Sequence, residues 1–393
     1  MSEQTTVQHS TDPTAQAAAS DSDTTPARSE ALLAWSLAAG AAVTVPVGGG
    51  QLILMSKPIG GVIGAPGAVS GYIAVTAALL GCLTALAAPR LLRRTSAHAG
   101  AWSALGAGAA LIVAAAATGP ILFCAGVLVA GALTGVVYTT GRIYFAELGA
   151  NARNSRHAMT WLGLLTSAAL ARIFYTDPMS GLMAAGVVAA GFGVLAVPLA
   201  MNPGPARSVT GPVAPHRPAL LGYGAAGFAV GATITPTLHL LLLRWEVLGE
   251  DQMPIVGVAA VAALVAVLVP LRPVSVSLLL VIAAGGPLLA SVGPGSATTA
   301  VGLAVTVAAT ARAVVELDRS AAHATARPTA IAVCVGGLGA VAGYGTGESL
   351  AEVFSAGTAL TLVAVPILAI TAVSTIAASK PRHSTAVSEG DHS

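Results

Sequence analysis

PILFCAGVLVAGALTGVVYTTGRIYFAE, residues Pro120–Glu147, decides the fold class. From Pro120 to Ala146 it holds a single charged side chain, Arg142. As a helix rising about 1.5 Å per residue, it outreaches the roughly 30 Å hydrocarbon core of a bilayer. Lipid offers no hydrogen-bond partners, so a spanning backbone must satisfy its own polar groups, which a helix does within one segment. The other solution, a closed barrel, needs segments of about 10 residues with alternating polarity, and the sequence shows no such pattern.

Outward from this run the pattern repeats. The chain has 393 residues, 55% of them hydrophobic and 9% charged, with a mean hydropathy of +0.81. That composition excludes an ordinary soluble globule, in which about a quarter of residues are charged. Breaks at Pro, Gly and charge clusters predict twelve spans, at 31–55, 68–88, 98–117, 120–146, 157–175, 179–200, 218–243, 254–270, 274–292, 297–315, 328–347 and 353–379. The division is thinnest at Gly119-Pro120 and Gly293-Pro294, where a tight turn separates two apolar runs.

The placement of Lys and Arg tests that count independently, because cytoplasmic loops retain positive charge. With both termini inside, fourteen of the eighteen basic residues fall in inner segments, leaving Lys57, Arg172 and Arg244 outside and Arg142 within the inner end of span four. The sequence therefore predicts a multi-pass protein of the cytoplasmic membrane with cytoplasmic termini. Residues 1–30 lack the basic-then-apolar start of a cleaved signal and read as a disordered cytoplasmic tail; 380–393 read as a second.

A Pro- and Gly-rich segment, 201–217, divides the apolar region into halves at 31–200 and 218–379, joined by a cytoplasmic linker. Corresponding positions look alike. Pro46 in span one and Pro236 in span seven each lie beyond the middle of a helix that they should kink. Arg142-Ile-Tyr-Phe-Ala-Glu147 at the end of span four is echoed by Arg312-Ala-Val-Val-Glu316 at the end of span ten. Such weak internal symmetry is the trace expected of duplicated transporter halves, or else a chance likeness within an Ala/Gly/Val-rich sequence.

On these features the chain resembles the major facilitator superfamily, over about Ala31 to Ser379. The family places Gly-x-x-x-Asp-Arg-x-Gly-Arg-Arg between spans two and three; here Ala85-Leu-Ala-Ala-Pro89-Arg90-Leu-Leu-Arg93-Arg94 keeps three basic positions and loses the Asp and both glycines. Tyr144-Phe-Ala-Glu147-Leu148, followed by Arg153, is similar to the acidic-then-basic join of spans four and five in many members. The resemblance implies an all-α protein of two six-helix halves around a central pathway lined by spans one, four, seven and ten. It also implies a cytoplasmic latch, assigned to Arg90, Arg93, Arg94, Glu147, Arg153, Arg312 and Glu316, with a lipid-facing basic patch as the alternative for Arg90, Arg93 and Arg94.

An ionisable group at bilayer depth costs roughly 2.5–3.5 kcal/mol on insertion scales, so each invites a functional reading. Arg142 lies one turn after Tyr138, and the two could orient an anionic or polar substrate; equally, the arginine could snorkel to the surface and pair with Glu147. His239, one turn beyond Thr235 in span seven, could move a proton or be structural. Gln51, after three glycines in span one, could bind substrate or cap a bent helix. These four, Gln51, Tyr138, Arg142 and His239, form the expected substrate-binding set. The nine carboxylates between Ala31 and Ser379 all fall near span ends or in loops, so none is expected to be buried. Glu348 and Glu352, in and after Gly343-Tyr-Gly-Thr-Gly347, could bind a cation or form an ordinary solvated end.

Gly131-x-x-x-Gly135, Gly227-x-x-x-Gly231 and Gly339-x-x-x-Gly343 read as helix-packing motifs. Cys82, Cys124 and Cys334 are far apart, without metal or redox spacing, and read as apolar packers. No nucleotide loop, HExxH or nucleophile–base pair is visible, so no enzyme, metal or cofactor is expected. A net charge of +2 carries no nucleic-acid signature. The expected function is secondary active transport of a small molecule by alternating access in a monomer, with proton-coupled efflux as its finer form. The alternative is a membrane scaffold or accessory subunit that keeps the helices without transporting.

Overall fold

The computed structural model describes residues 24–44, 49–95, 98–147, 150–201, 217–270, 272–320 and 326–379. The segments 1–23, 202–216 and 380–393, and with them most of the expected tails and linker, lie outside the described residues, as does Pro46.

The described chain is helical throughout its regular structure. Span one is α1 (Thr24–Ala42) followed by α2 (Gly49–Leu54), and a short α3 (Ser56–Ile63) leads to span two, α4 (Gly67–Thr95). Spans three to six are α5 (His98–Ala115), α6 (Pro120–Glu147), α7 (Ala150–Ile173) and α8 (Pro178–Met201). Spans seven to twelve are α9 (Arg217–Trp245), α10 (Met253–Leu268), α11 (Val276–Val292), α12 (Ser296–Ser320), α13 (Ala326–Val353) and α14 (Ala356–Ser379). Among the described residues, nine of these twelve are at least 18 residues long and apolar enough to cross a membrane, α10 counted together with the helical turn Gly249–Gln252 that precedes it. Of the others, α11 is apolar but has 17 residues, and α1 and α7 carry charge near their starts, Arg28 and Glu30 in one and Arg153 and Arg156 in the other.

Local chemistry explains the boundaries. Pro120 and Pro178 open α6 and α8, where a missing N–H costs nothing. Ser275 caps α11 by accepting from the Leu278 N–H at 3.3 Å, and Ser355 does the same for α14 from Thr358 at 3.3 Å. Gly64 ends α3 at φ 69, the left-handed region that a side chain disfavours. Several expected boundaries shift: α1 starts at Thr24, before Ala31; α4 runs on to Thr95, past 88; α7 starts at Ala150, before 157; α12 continues to Ser320; and α13 continues to Val353, so that Glu348 and Glu352 are helical, while α9 runs unbroken through Pro236.

The packing repeats with a twofold pattern. In the first half α5 packs on α8, α4 on α6, α5 on α6 and α1 on α8; in the second, α11 packs on α14, α10 on α12, α11 on α12 and α9 on α14. Each pair has its counterpart six spans later. The two halves meet through α7 on α10 and through α4 on α13, again a symmetric pair. The seam is small-residue in character: Ala158 of α7 joins Ala259, Ala263 and Val267 of α10, and Cys82 of α4 lies against Gly337 of α13. The tightest helix pair, α9 on α13, uses two of the three predicted motifs as opposite sides of one contact, with Gly227 and Gly231 against the backbone of Gly336 and Ala340.

Candidate functional site: a buried carboxylate between the halves

Parity of the spans puts the C-termini of α6 and α12 and the N-termini of α7 and α9 at one end of the bundle, the end that also holds the start of α1 and the end of α14. There four helices converge on Asp318, two residues before the end of α12. The carboxylate is buried, 8% exposed, which overturns the expectation that no acid is sheltered. One oxygen, Oδ1, accepts from Arg142 Nη2 of α6 and from Tyr223 Oη of α9. The other, Oδ2, accepts from Arg156 Nη2 of α7 at 2.5 Å and lies 2.9 Å from His157 Nε2. Arg156 Nη2 is also 2.9 Å from His157 Nε2, so one guanidinium nitrogen serves both. The Arg142 guanidinium stands 5.0 Å over the Tyr223 ring, an added cation–π contact.

The allocation of these groups between halves is uneven. Arg142, Arg156 and His157 belong to the first six spans; Asp318 and Tyr223 belong to the last six. Two guanidiniums face one carboxylate, and all three side chains are under 10% exposed. Burying such charges is costly unless they are paired. Arg156 keeps donors in reserve: its Nε and Nη1 are buried and find no partner among the described residues. So does Thr139, fully buried one turn before Arg142 on α6, whose hydroxyl makes no hydrogen bond among the described residues.

A second ionic group lies close by in sequence and serves another purpose. Arg312 of α12 pairs with Glu316 at 2.8 Å and donates to the carbonyls of Ala266 at 3.3 Å and Val269 at 3.4 Å, the open end of α10. Arg319 reaches the same Glu316 carboxylate at 3.0 Å. This cluster ties α12 to α10 within one half, whereas Arg142, its counterpart in the sequence repeat, crosses to the other half. Glu316→Ala is therefore expected to lower the thermal unfolding midpoint, by a loss of about 1.5–3 kcal/mol for the charged hydrogen bonds, without changing the spacing between the halves. Thermal unfolding and a half-to-half distance measurement check this together.

The other expected positions are dispersed. Tyr138 is half-buried beside Arg142 on α6 and packs against the cluster of Leu33, Leu37 and Val137. His239 sits sixteen residues beyond Tyr223 on α9, about 24 Å along a helix, half-buried and without a hydrogen bond among the described residues. Gln51 is fully buried on α2 with its amide against Gly181 of α8, and neither amide atom has a partner among the described residues. Arg90 is exposed on α4 and makes no ion pair among the described residues. The side chains of Arg93, Arg94, Glu147 and Arg153 lie outside the described residues, so the expected Arg142–Glu147 pairing has no description; among the described residues Arg142 pairs with Asp318.

At the opposite end, Arg172 of α7 meets Glu250 at 2.7 Å on the short helical turn before α10. Both side chains are nearly half exposed, which makes this bridge a weak tie between the halves. Glu348 is half-buried on α13, and its Oε2 is unpartnered among the described residues, while Glu352 is exposed.

No protein-family model and no curated protein matches the sequence. Solved structures do match the fold. The human organic anion transporter MFSD10 (TETRAN) aligns with a TM-score of 0.70 at 16% identity, covering 88% of this chain and 99% of that one. The E. coli fucose:proton symporter FucP aligns at 0.62 with 14% identity, covering 89% and 98%. A variant of the nucleoside transporter NupG aligns at 0.60 with 13% identity, covering 88% and 98%. These likenesses show the fold: the chain is an all-α, polytopic membrane protein with the architecture of the major facilitator superfamily.

Proposed function

We propose that this protein is a secondary active transporter of the cytoplasmic membrane, with both termini in the cytoplasm, that carries a small molecule by alternating access and works as a monomer. The observation that carries the reading is the Asp318 network. It bridges the two halves at one end of the bundle, and every one of the contacts that Asp318 makes with a basic side chain crosses from one half to the other. Halves at 31–200 and 218–379, joined by the linker 201–217, can part at this end only by separating Asp318 and Tyr223 from Arg142, Arg156 and His157. A scaffold has no use for a charge cluster that divides along its own seam. The excess of Lys and Arg on the same side supports cytoplasmic termini.

The solved structures with this fold are named for an organic anion, a nucleoside and a sugar moved with a proton, so the fold does not choose a cargo. Export is the direction that suits a network facing the cytoplasm, because cargo would arrive at the side that the network closes. A proton is the coupling ion we propose, since Asp318 and His157 adjoin in one cluster. Gln51, Tyr138, Arg142 and His239 remain the candidate contacts along the pathway between the halves.

The test is flux in proteoliposomes across a panel of labelled small molecules, with and without a proton gradient. The proposal expects gradient-dependent movement of at least one compound, reduced at least tenfold by Asp318→Asn. A protein that folds, reconstitutes and moves nothing in either direction would favour the scaffold.

A further inference from the structure

Asp318 shows what its partners are built to hold. Four groups are arranged around one carboxylate, two on each oxygen, and three of the four, Arg142, Arg156 and His157, stand on the half that does not carry the acid. When the halves part at this end, the first half keeps a carboxylate cradle and loses its carboxylate. The cradle is also larger than its present occupant needs. Two buried donors of Arg156 and the buried hydroxyl of Thr139, one turn from Arg142, have no partner among the described residues.

We infer that this cradle binds the cargo, that the cargo is a small organic carboxylate, and that Asp318 is the internal competitor it displaces. The inference rests on the transport reading above and names the substrate class for it. Two guanidiniums without a counter-charge, at a mouth walled by low-dielectric helices, attract an anion strongly. Their planar donors match a carboxylate in two-point fashion better than they match a neutral amide. Among the described residues a cation finds no acid on the first half there, because Asp318 leaves with the other half. By linkage, a ligand that binds the parted arrangement better than the closed one drives the parting, so cargo opens its own entrance. The same linkage predicts that removing the competitor tightens binding, because less of the binding energy is spent on breaking the internal pair.

The experiment keeps one molecular body and varies its charge. Benzoate, benzamide and benzylamine are compared on the full chain in nanodiscs, with Cys82, Cys124 and Cys334 replaced by alanine and spin labels at Met201→Cys of α8 and Val373→Cys of α14. Both positions are exposed, on helices of opposite halves at this end. Pulsed dipolar distances report the parting of the halves, and ionic strength is held constant with chloride. Benzoate is expected to shift the distances outward, benzamide and benzylamine to leave them in place. Asp318→Asn is expected to lengthen the distance without ligand and to bind benzoate at least tenfold tighter than the unsubstituted chain. Arg156→Gln is expected to abolish binding of radiolabelled benzoate in the Asp318→Asn background, where no internal pair remains to be broken.

Equal responses to benzoate and benzamide, or unchanged benzoate affinity in Asp318→Asn, would overturn the carboxylate site. If Asp318→Asn lengthens the distance while none of the three ligands binds, the network is a gate without a ligand role, and transport stands. If Asp318→Asn leaves the distance unchanged, the gating on which both proposals rest is wrong.

Discussion

Asp318→Ala is expected to destabilise the closed arrangement by about 3–5 kcal/mol, the cost of removing one partner from a buried ion pair. Most of that cost is not a lost attraction. It comes from leaving Arg142 and Arg156 side by side, both under 10% exposed, with no anion between them. In the parted arrangement the same arginines reach water and the penalty disappears, so the substitution moves the equilibrium between arrangements as well as overall stability. At about 1.4 kcal/mol per decade, the shift is about two to three and a half decades towards parting. Distances between α8 and α14 and the thermal midpoint should both report it.

A double change separates the two contributions. Adding Arg142→Met to Asp318→Ala removes one of the unpaired charges and should recover part of the loss, although it deletes a second member of the network. Arg142→Met alone should cost less than Asp318→Ala, because Arg156 and Tyr223 still satisfy Asp318. If the double variant is worse than Asp318→Ala by the full cost of Arg142→Met, the groups act independently and the network reading fails.

The sequence made the helices legible because hydropathy and proline placement act locally. Span six, expected at 179–200, is α8 at Pro178–Met201, and the turns at Gly119-Pro120 and Gly293-Pro294 separate helices as the sequence predicts. Span one was harder, since its charged start hides a helix that begins at Thr24. The site was legible only in fragments. Arg142 stood out as a charge in an apolar run, yet its partner lies 176 residues away, and the other ties to Asp318 span 162 and 95 residues. An acid two residues from a helix end reads as a solvated terminus in one dimension. It becomes buried because the halves close over it, and no local pattern encodes that closure. A usable signal was present: a buried arginine demands an anion. Gln51 and His239 show what sequence spacing leaves open: polar residues in matched spans can lie at different depths of one pathway, because position along the helix, rather than span number, sets where a side chain stands.

Gly343→Val should be among the most damaging single substitutions in the chain, and Gly345→Ala, two residues on, should be harmless. Both are on α13, and the difference lies in what faces them. A Cβ at Gly343 would fall well under 3 Å from the Phe228 carbonyl oxygen and 2.9 Å from the Ala232 nitrogen of α9, while one at Gly345 meets nothing within 4 Å. The obstacle at Gly343 is backbone, which cannot turn aside as a side chain would, so the whole helix must move. Gly339 and Gly347 on α13, and Gly227 and Gly231 on α9, share that contact, so a separation forced at one rung weakens every rung. Within lipid no hydrophobic drive between helices makes up the loss, because close packing and its dispersion contacts are what hold the pair together. Overpacking costs about 1–3 kcal/mol where neighbours can yield; here the expected cost is at the top of that range or above it, enough to prevent recovery of folded protein. Gly345→Ala should instead add up to about 1 kcal/mol of helix stability. Yield and thermal midpoint of the two purified variants decide the matter, with Gly343→Ala as the intermediate case. Since α9 carries Tyr223 and α13 meets α4 across the seam, a Gly343→Ala protein that folds should also show altered spacing between the halves. A Gly343→Ala protein as stable as the parent would mean that α9 and α13 do not approach this closely.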